Sequence, residues 1–208
     1  MKITGYPCGS LMAVCYTVVT DNTAIIIDPG YLDPSIESFV TENKQKLKYI
    51  LLTHRHFDHL SAAVALRKMT GAPICIHKFD ECGLYSDVDS LGSMVCGAYG
   101  TADINAKADI LLSDGDCLSA GDVEFRVIHT PGHTVGGVCF LSNNALFSGD
   151  TLLKLSIGRT DFPGGNMSEM KRSLDRLMQL SDDITVYPGH GEVTTIGYER
   201  QNNPFLFW

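Results

Sequence analysis

The sequence predicts an α/β fold in which two β-sheets lie back to back with helices outside. Three observations lead there. Short apolar runs bounded by turn signals recur along the chain. Segments with apolar residues at helical spacing interrupt them. Both kinds occur in both halves of the 208 residues, a length suited to one large domain.

Strands are expected at Lys2–Pro7, Val14–Thr20 and Ala24–Asp28, the last ending in Asp28-Pro29-Gly30. A helix follows Pro34 through Ile36, Phe39 and Val40. Tyr49–Thr53 reads as a buried strand that ends at a histidine cluster. The next helix carries Leu60, Ala63, Val64 and Leu66, with Gly71 as its stop signal. Pro73–His77 is a short strand, and Phe79–Ala106 begins helix-like and turns Gly-rich and loop-like. Strands are then expected at Ile110–Ser113, Asp116–Leu118, Val123–His129, Gly137–Ser142 and Ala145–Phe147, divided by Asp-Gly, Ala-Gly and Asn-Asn turns. Ser168 reads as the N-cap of a helix through Met170, Leu174, Leu177 and Met178. A last strand, Ile184–Tyr187, precedes Pro188-Gly189-His190-Gly191, and a short helix lies near Tyr198.

Composition narrows the function classes. Hydrophobic residues make up 44% and charged residues 19%, which is globular rather than disordered. The formal charge of −8 disfavours nucleic acid and anionic membranes as partners. No apolar stretch is long enough to span a bilayer, and Gly5, Pro7 and Gly9 interrupt any export signal. A cytoplasmic location is therefore expected. The seven Cys read as free thiols, with Cys75 and Cys139 as packing residues.

The chemistry concentrates in Thr53-His54-Arg55-His56-Phe57-Asp58-His59. On an extended segment, residues two apart point the same way, so His54 and His56 can converge on one ion. Asp58 and His59 fall at the turn into the next helix and face elsewhere, where they can hold a second ion. Three later strands end in the same form: a tight Gly turn, then His133, Asp150 or His190. Five of the seven His lie in these turns; His77 and His129 do not.

This ordered set, His-x-His-x-Asp-His, then Gly-His, Gly-Asp and Gly-His, resembles the metallo-β-lactamase superfamily over almost the whole chain. The resemblance implies an αββα sandwich of two mixed β-sheets flanked by helices, in a single domain spanning 1–208. It implies one metal on His54, His56 and His133, a second on Asp58, His59 and His190, and Asp150 bridging both. Asp58 and Asp150 are then the catalytic carboxylates. Asp28 matches an early acidic turn of the family and orients a ligand histidine from behind, or is an ordinary Asp-Pro-Gly turn. The cofactors implied are two divalent ions, zinc first, with iron or manganese as alternatives. A hydroxide between two such ions is a nucleophile at neutral pH.

Within the superfamily, the sequence looks most like the short bacterial glyoxalase II-like thioesterases. The cluster Thr53–His59, the segment Gly158–Gly165, and Thr194–Glu199 with Asn203-Pro204 carry that likeness. It implies hydrolysis of a small hydroxyacylglutathione-type thioester. The C-terminal helical domain of the long glyoxalase II enzymes is expected to be absent. Arg159, and more weakly Lys154, are the candidates for a substrate carboxylate; a structural ion pair of Arg159 with Asp161 is the competing expectation. A mononuclear-iron persulfide dioxygenase using His54, His133 and Asp150 is the alternative reaction, and another hydrolase of the same fold a further one. The apolar tail Phe205–Trp208 is expected to pack on the domain; oligomeric state is left open.

Overall fold

The computed structural model describes residues 1–94 and 105–207. β1 (Lys2–Cys8), β2 (Ala13–Val19) and β3 (Ala24–Ile27) form an antiparallel meander. β4 (Leu47–Leu51), β5 (Ile74–His77) and β6 (Ile110–Leu112) continue the same sheet in parallel. Parallel neighbours need crossovers. α1 (Pro34–Asn43) supplies the first, and α2 (Phe57–Leu60) with α3 (Ala63–Thr70) supplies the second. α1 starts where Asp33 accepts from the amides of Ser35 and Ile36, with Pro34 in the first turn. α3 stops at Gly71, in the left-handed region at φ 77°.

The second sheet contains β7 (Cys117–Ala120), β8 (Val123–His129), β9 (Val138–Ser142), β10 (Ala145–Gly149), β13 (Thr185–Pro188) and β14 (Thr194–Thr195), in the order β14-β13-β10-β9-β8-β7. A two-stranded hairpin, β11 (Leu152–Leu153) with β12 (Ser156–Ile157), stands apart from it. α4 (Met167–Leu177) and α5 (Ile196–Asn202) cover its outer face. Both sheets mix parallel and antiparallel pairs, and the expected α/β, αββα architecture is what the chain adopts.

The two-residue period of the strands sorts the core into three layers. Ile25, Ile27, Leu51 and Cys75 face the second sheet and meet Phe125, Val127, Phe140 and Phe147. Ile26, Ile50 and Ile74 face the other way, under α1 and α3. Ile128, Leu146 and Val186 face α4 through Met170, Leu174 and Leu177. At about 25 cal/mol per Å² of apolar surface removed from water, these layers dominate the stability of the sandwich.

Several details differ from the sequence reading, among them the helix expected through Leu60 and Leu66, which is divided into α2 and α3. Asn166, rather than Ser168, caps α4, accepting from the amide of Glu169. Both residues are good caps, and the tertiary bond from Asn166 N to Gly132 O at 2.8 Å decides between them. The β11–β12 hairpin and β14 have no counterpart in the sequence reading, because two-residue strands carry no readable period. In the tail, Leu206 packs on the outer layer while Phe205 and Phe207 stay exposed; Trp208 lies outside the described residues. The Gly-rich part of Phe79–Ala106 falls largely at 95–104, also outside them. Among the described residues no helix is long and apolar enough to cross a membrane.

Candidate metal centre

Both sheets deliver their chemistry at one edge. β4 leads into Thr53-His54, β10 into Asp150, and β13 into His190. The parallel pairing of β10 with β13, Gly149 opposite Pro188, brings the last two to the same end. Bonds between the sheets lock this edge: Val138 N to Thr53 O at 2.8 Å, Val14 N to Gly189 O at 2.7 Å, and Tyr16 Oη to Pro188 O at 2.9 Å.

The turns need glycine for different reasons. Gly149 has φ 49°, a conformation that L side chains rarely adopt. Gly189 is needed for space: a Cβ there would lie 2.2 Å from Asp150 Oδ1 and 2.8 Å from His59 Cε1.

All seven side chains expected as ligands meet at this edge, in two groups. His54, His56 and His133 form one; Asp58, His59 and His190 form the other. Asp150 lies between them. Its Oδ2 is 3.5 Å from His133 Nε2 and 3.7 Å from His190 Nε2, and its Oδ1 is 3.7 Å from His59 Nε2. His59 Nε2 is 3.3 Å from His190 Nε2. Most of these separations are long for hydrogen bonds. They suit neighbouring donors around a tetrahedral ion, which stand about 3.3–3.4 Å apart when each bond is about 2.0–2.1 Å. The Nε2 atoms of His54, His56 and His133, and Asp150 Oδ1, are buried with no hydrogen-bond partner. Orphaned buried polar atoms are costly, and here four of them belong to one cluster. The donor set therefore fits divalent metal, with Asp58, His59 and His190 as a second candidate group beside the three histidines.

The electrostatics of the two groups differ. Burial, reinforced by the surrounding imidazoles, holds His54 and His56 well below the usual 6.5, so both are neutral lone-pair donors. Burial also opposes charge on His59, yet Asp58, Asp150 and Asp28 together push it up to about 10. Burial works against ionised Asp58, but His59 and His190 hold it well below the usual carboxylate range. Without metal, the second group thus keeps a proton where a cation would sit, and metal binding there releases it.

The outward nitrogens are oriented from behind. Asp28 accepts from Thr53 N at 2.7 Å and Thr53 Oγ1 at 2.6 Å, and faces His59 Nδ1 at 3.0 Å. Thr53 Oγ1 in turn lies 3.0 Å from His54 Nδ1. One buried carboxylate so directs His59 immediately and His54 through a hydroxyl. Asp28 also lies near His54 and His59 as a possible donor, but its oxygens are already committed, and it faces Nδ1 of His59 rather than Nε2. The backbone carbonyl of Arg159 accepts from His133 Nδ1 at 2.7 Å.

The two expected substrate cations each have an acidic partner. Arg159 makes a two-pronged pair with Asp161, 2.7 Å on both arms, and lies over the Phe162 ring. Lys154 pairs with Glu192. The structure thus realises the ion-pair expectation for Arg159. His77 and His129 stay off the centre, stacked on each other with centroids 4.2 Å apart. The sequence reading gave no role to Thr53, Arg55 or Asp80. Arg55 Nη2 donates to Pro163 O at 2.7 Å, and Asp80 is fully buried beside it. Thr53 stood inside the legible motif; no local signal marks Asp80.

Comparison with known proteins agrees with this geometry. Residues 8–190 match the family model described as Metallo-beta-lactamase superfamily. Uncharacterized protein ML0493 of Mycobacterium leprae is 38% identical over 216 residues, covering 99% of each chain. Hydroxyacylglutathione hydrolase GloC of Haemophilus influenzae is 33% identical over 212 residues, covering 99% of this chain and 98% of its own. Among solved structures, BLEG-1 B3 metallo-beta-lactamase superposes with a TM-score of 0.91 at 34% identity, covering both chains fully. TTHA1623 in a di-iron-bound form gives 0.85 at 33% identity, covering 98% of this chain and 100% of that one. ETHE1 from Myxococcus xanthus gives 0.80 at 30% identity, covering 98% and 84%.

Proposed function

The chain belongs to the metallo-beta-lactamase superfamily, and we propose that it is a two-metal hydrolase of small thioesters of the hydroxyacylglutathione type. The observation that carries this reading is the pair of donor groups on either side of Asp150. The full-length likeness to GloC supports the substrate class, and the di-iron form of TTHA1623 supports a metal pair. His54, His56 and His133 would hold one ion, Asp58, His59 and His190 the other, with Asp150 shared. Zinc is the first candidate, and iron or manganese suit the same donors.

When bound, such a pair supplies a hydroxide nucleophile near neutral pH and polarises the attacked carbonyl. The chain's own residues set the stage. Asp28 and Thr53 keep protons on the Nδ1 atoms of His59 and His54, and the Arg159 carbonyl does so for His133. Their Nε2 lone pairs are thereby presented inward. His190, a quarter exposed where His59 is sealed, marks the side open to substrate. The reaction adds water to the acyl carbon and breaks the C–S bond, giving a carboxylate, a proton and a thiol.

Arg159 is more than half exposed, so its pair with Asp161 is weak and can be exchanged for a substrate carboxylate. Arg159→Ala is expected to raise KM more than it lowers kcat. An unchanged KM would return Arg159 to a purely structural role.

The deciding experiment combines metal analysis with three substrates. The reading expects about two metals per chain and thiol release from S-lactoylglutathione. One iron per chain with oxygen uptake on glutathione persulfide would replace it with a dioxygenase. Hydrolysis of a chromogenic cephalosporin without thioesterase activity would replace it with a β-lactamase, the reading that BLEG-1 favours.

A further inference from the structure

We infer that Asp80 is the positioning residue of the three-histidine group, holding His54, His56 and His133 in register from outside the centre. Asp80 lies three residues beyond the end of β5, the parallel neighbour of β4, so the sheet sets it beside the loop that β4 feeds. It is completely buried. Its Oδ2 accepts from Arg55 N at 3.1 Å and from Thr134 Oγ1 at 2.6 Å, and its Oδ1 accepts from Gly136 N at 2.8 Å. Arg55 stands between His54 and His56, and Thr134 directly follows His133. One carboxylate therefore ties together two loops that are about 80 residues apart and that carry all three histidines.

Two further contacts tighten the tie. A Cβ on Gly136 would meet Asp80 at 2.7 Å, and one on Gly83 would meet Arg55 O at 2.5 Å, so the backbones approach as closely as glycine permits. The Arg55 guanidinium, 4.0 Å from Asp80 Oδ1, reaches on to Pro163 O, fixing the segment that carries Arg159 and Phe162. None of these contacts reaches Asp58, His59 or His190. Asp28 serves His59 directly and His54 through Thr53, whereas Asp80 ties only the two loops that carry the three histidines.

This inference rests on the two-metal reading and is tested by the separate affinities of the two groups. Asp80→Asn keeps the volume but places an amide NH₂ against a donor: Gly136 N on one side, or Arg55 N on the other. Zinc is titrated into the metal-free chain against a chromophoric chelator. Two backgrounds separate the groups: His190→Ala leaves the three histidines intact, and His56→Ala leaves the second group intact. In the first, Asp80→Asn is expected to weaken zinc by about 10–100-fold. In the second, the shift should stay within about threefold, inside the scatter of unconnected substitutions. Equal shifts in both backgrounds, or none in either, would overturn the inference. An otherwise unsubstituted chain that takes up a single zinc would instead overturn the two-metal reading. Melting curves check folding. Should Asp80→Asn fail to fold, Thr134→Val, which deletes one donor to Asp80, must show the same asymmetry.

Discussion

Asp150→Ala is expected to lower kcat/KM by more than about 100-fold, beyond what the loss of an outer hydrogen-bond partner costs, and to leave at most one metal per chain. Asp150 stands within 3.5–3.7 Å of Nε2 atoms in both donor groups, so its removal takes a donor from each at once. The fold should hardly notice. Asp150 Oδ1 is buried without any hydrogen-bond partner, and Asp28 and Asp58 remain beside His59 when Asp150 is lost. The metal-free variant should therefore melt within a few degrees of the parent, while the rise in Tm on adding zinc shrinks, because that rise follows ligand affinity. Asp150→Asn separates charge from shape, since it keeps the volume and loses the negative charge. Full activity in Asp150→Ala would sink the shared-carboxylate mechanism.

The ligand set is easy to read in the sequence because its members stand in turns just beyond strand ends, with Asp58 and His59 continuing the first of these turns into α2. A buried strand followed by a turn and a metal-ligating residue type is a local pattern, and it repeats at His54, His133, Asp150 and His190. The two-sheet architecture is legible for a similar reason: the apolar runs are short, and Ile25, Ile26 and Ile27 alone already fill both faces of a strand buried on each side. What the sequence hides is whatever depends on distant partners. His133 is oriented by a backbone carbonyl, Arg159 O, which any residue at that position would offer. Asp80 meets Thr134 and Gly136 more than 50 residues on, with nothing around it in the chain to distinguish it from a surface acid. The cap of α4 went to Asn166 over Ser168 through a tertiary bond to Gly132, a choice that local propensity does not make. Arg159 lies between these cases. Its partner Asp161 is two residues away, so the ion pair was visible as an option, and the structure selects it.

Asp28→Asn should weaken metal binding sharply while sparing the fold, because of where two protons lie. In the parent, Asp28 can only accept, so Thr53 Oγ1 must donate to it, and His59 Nδ1 must carry a proton toward it. Thr53 Oγ1, having spent its proton on Asp28, accepts from His54 Nδ1. His54 then offers a bare Nε2 to the centre, and His59 offers one once the proton it holds there is released. In Asp28→Asn, the amide oxygen still accepts from Thr53 N, and the amide NH₂ replaces Oδ2. That NH₂ donates toward Thr53 Oγ1 and His59 Nδ1, so Nδ1 of His59 becomes the acceptor. Thr53 turns its hydroxyl proton toward His54 Nδ1, which becomes an acceptor as well. The His54 proton moves to Nε2, the one proton left on His59 stays on Nε2, and a protonated nitrogen cannot ligate. Asparagine also tolerates the left-handed backbone here, φ 51°, so the variant should fold. Asp28→Ala is the contrast: it leaves the Thr53 and His59 donors unmet in the core, at about 1–3 kcal/mol each, and strains the turn. Zinc affinity is expected to fall by at least about 10–100-fold in both, with a large drop in melting temperature only for alanine. Nitrogen-15 imidazole spectra of the metal-free Asn variant should show Nδ1 of both rings without a proton, where His59 of the parent carries one on each nitrogen. Unchanged zinc binding with Nδ1-protonated rings would show that Asp28 is an ordinary turn residue after all.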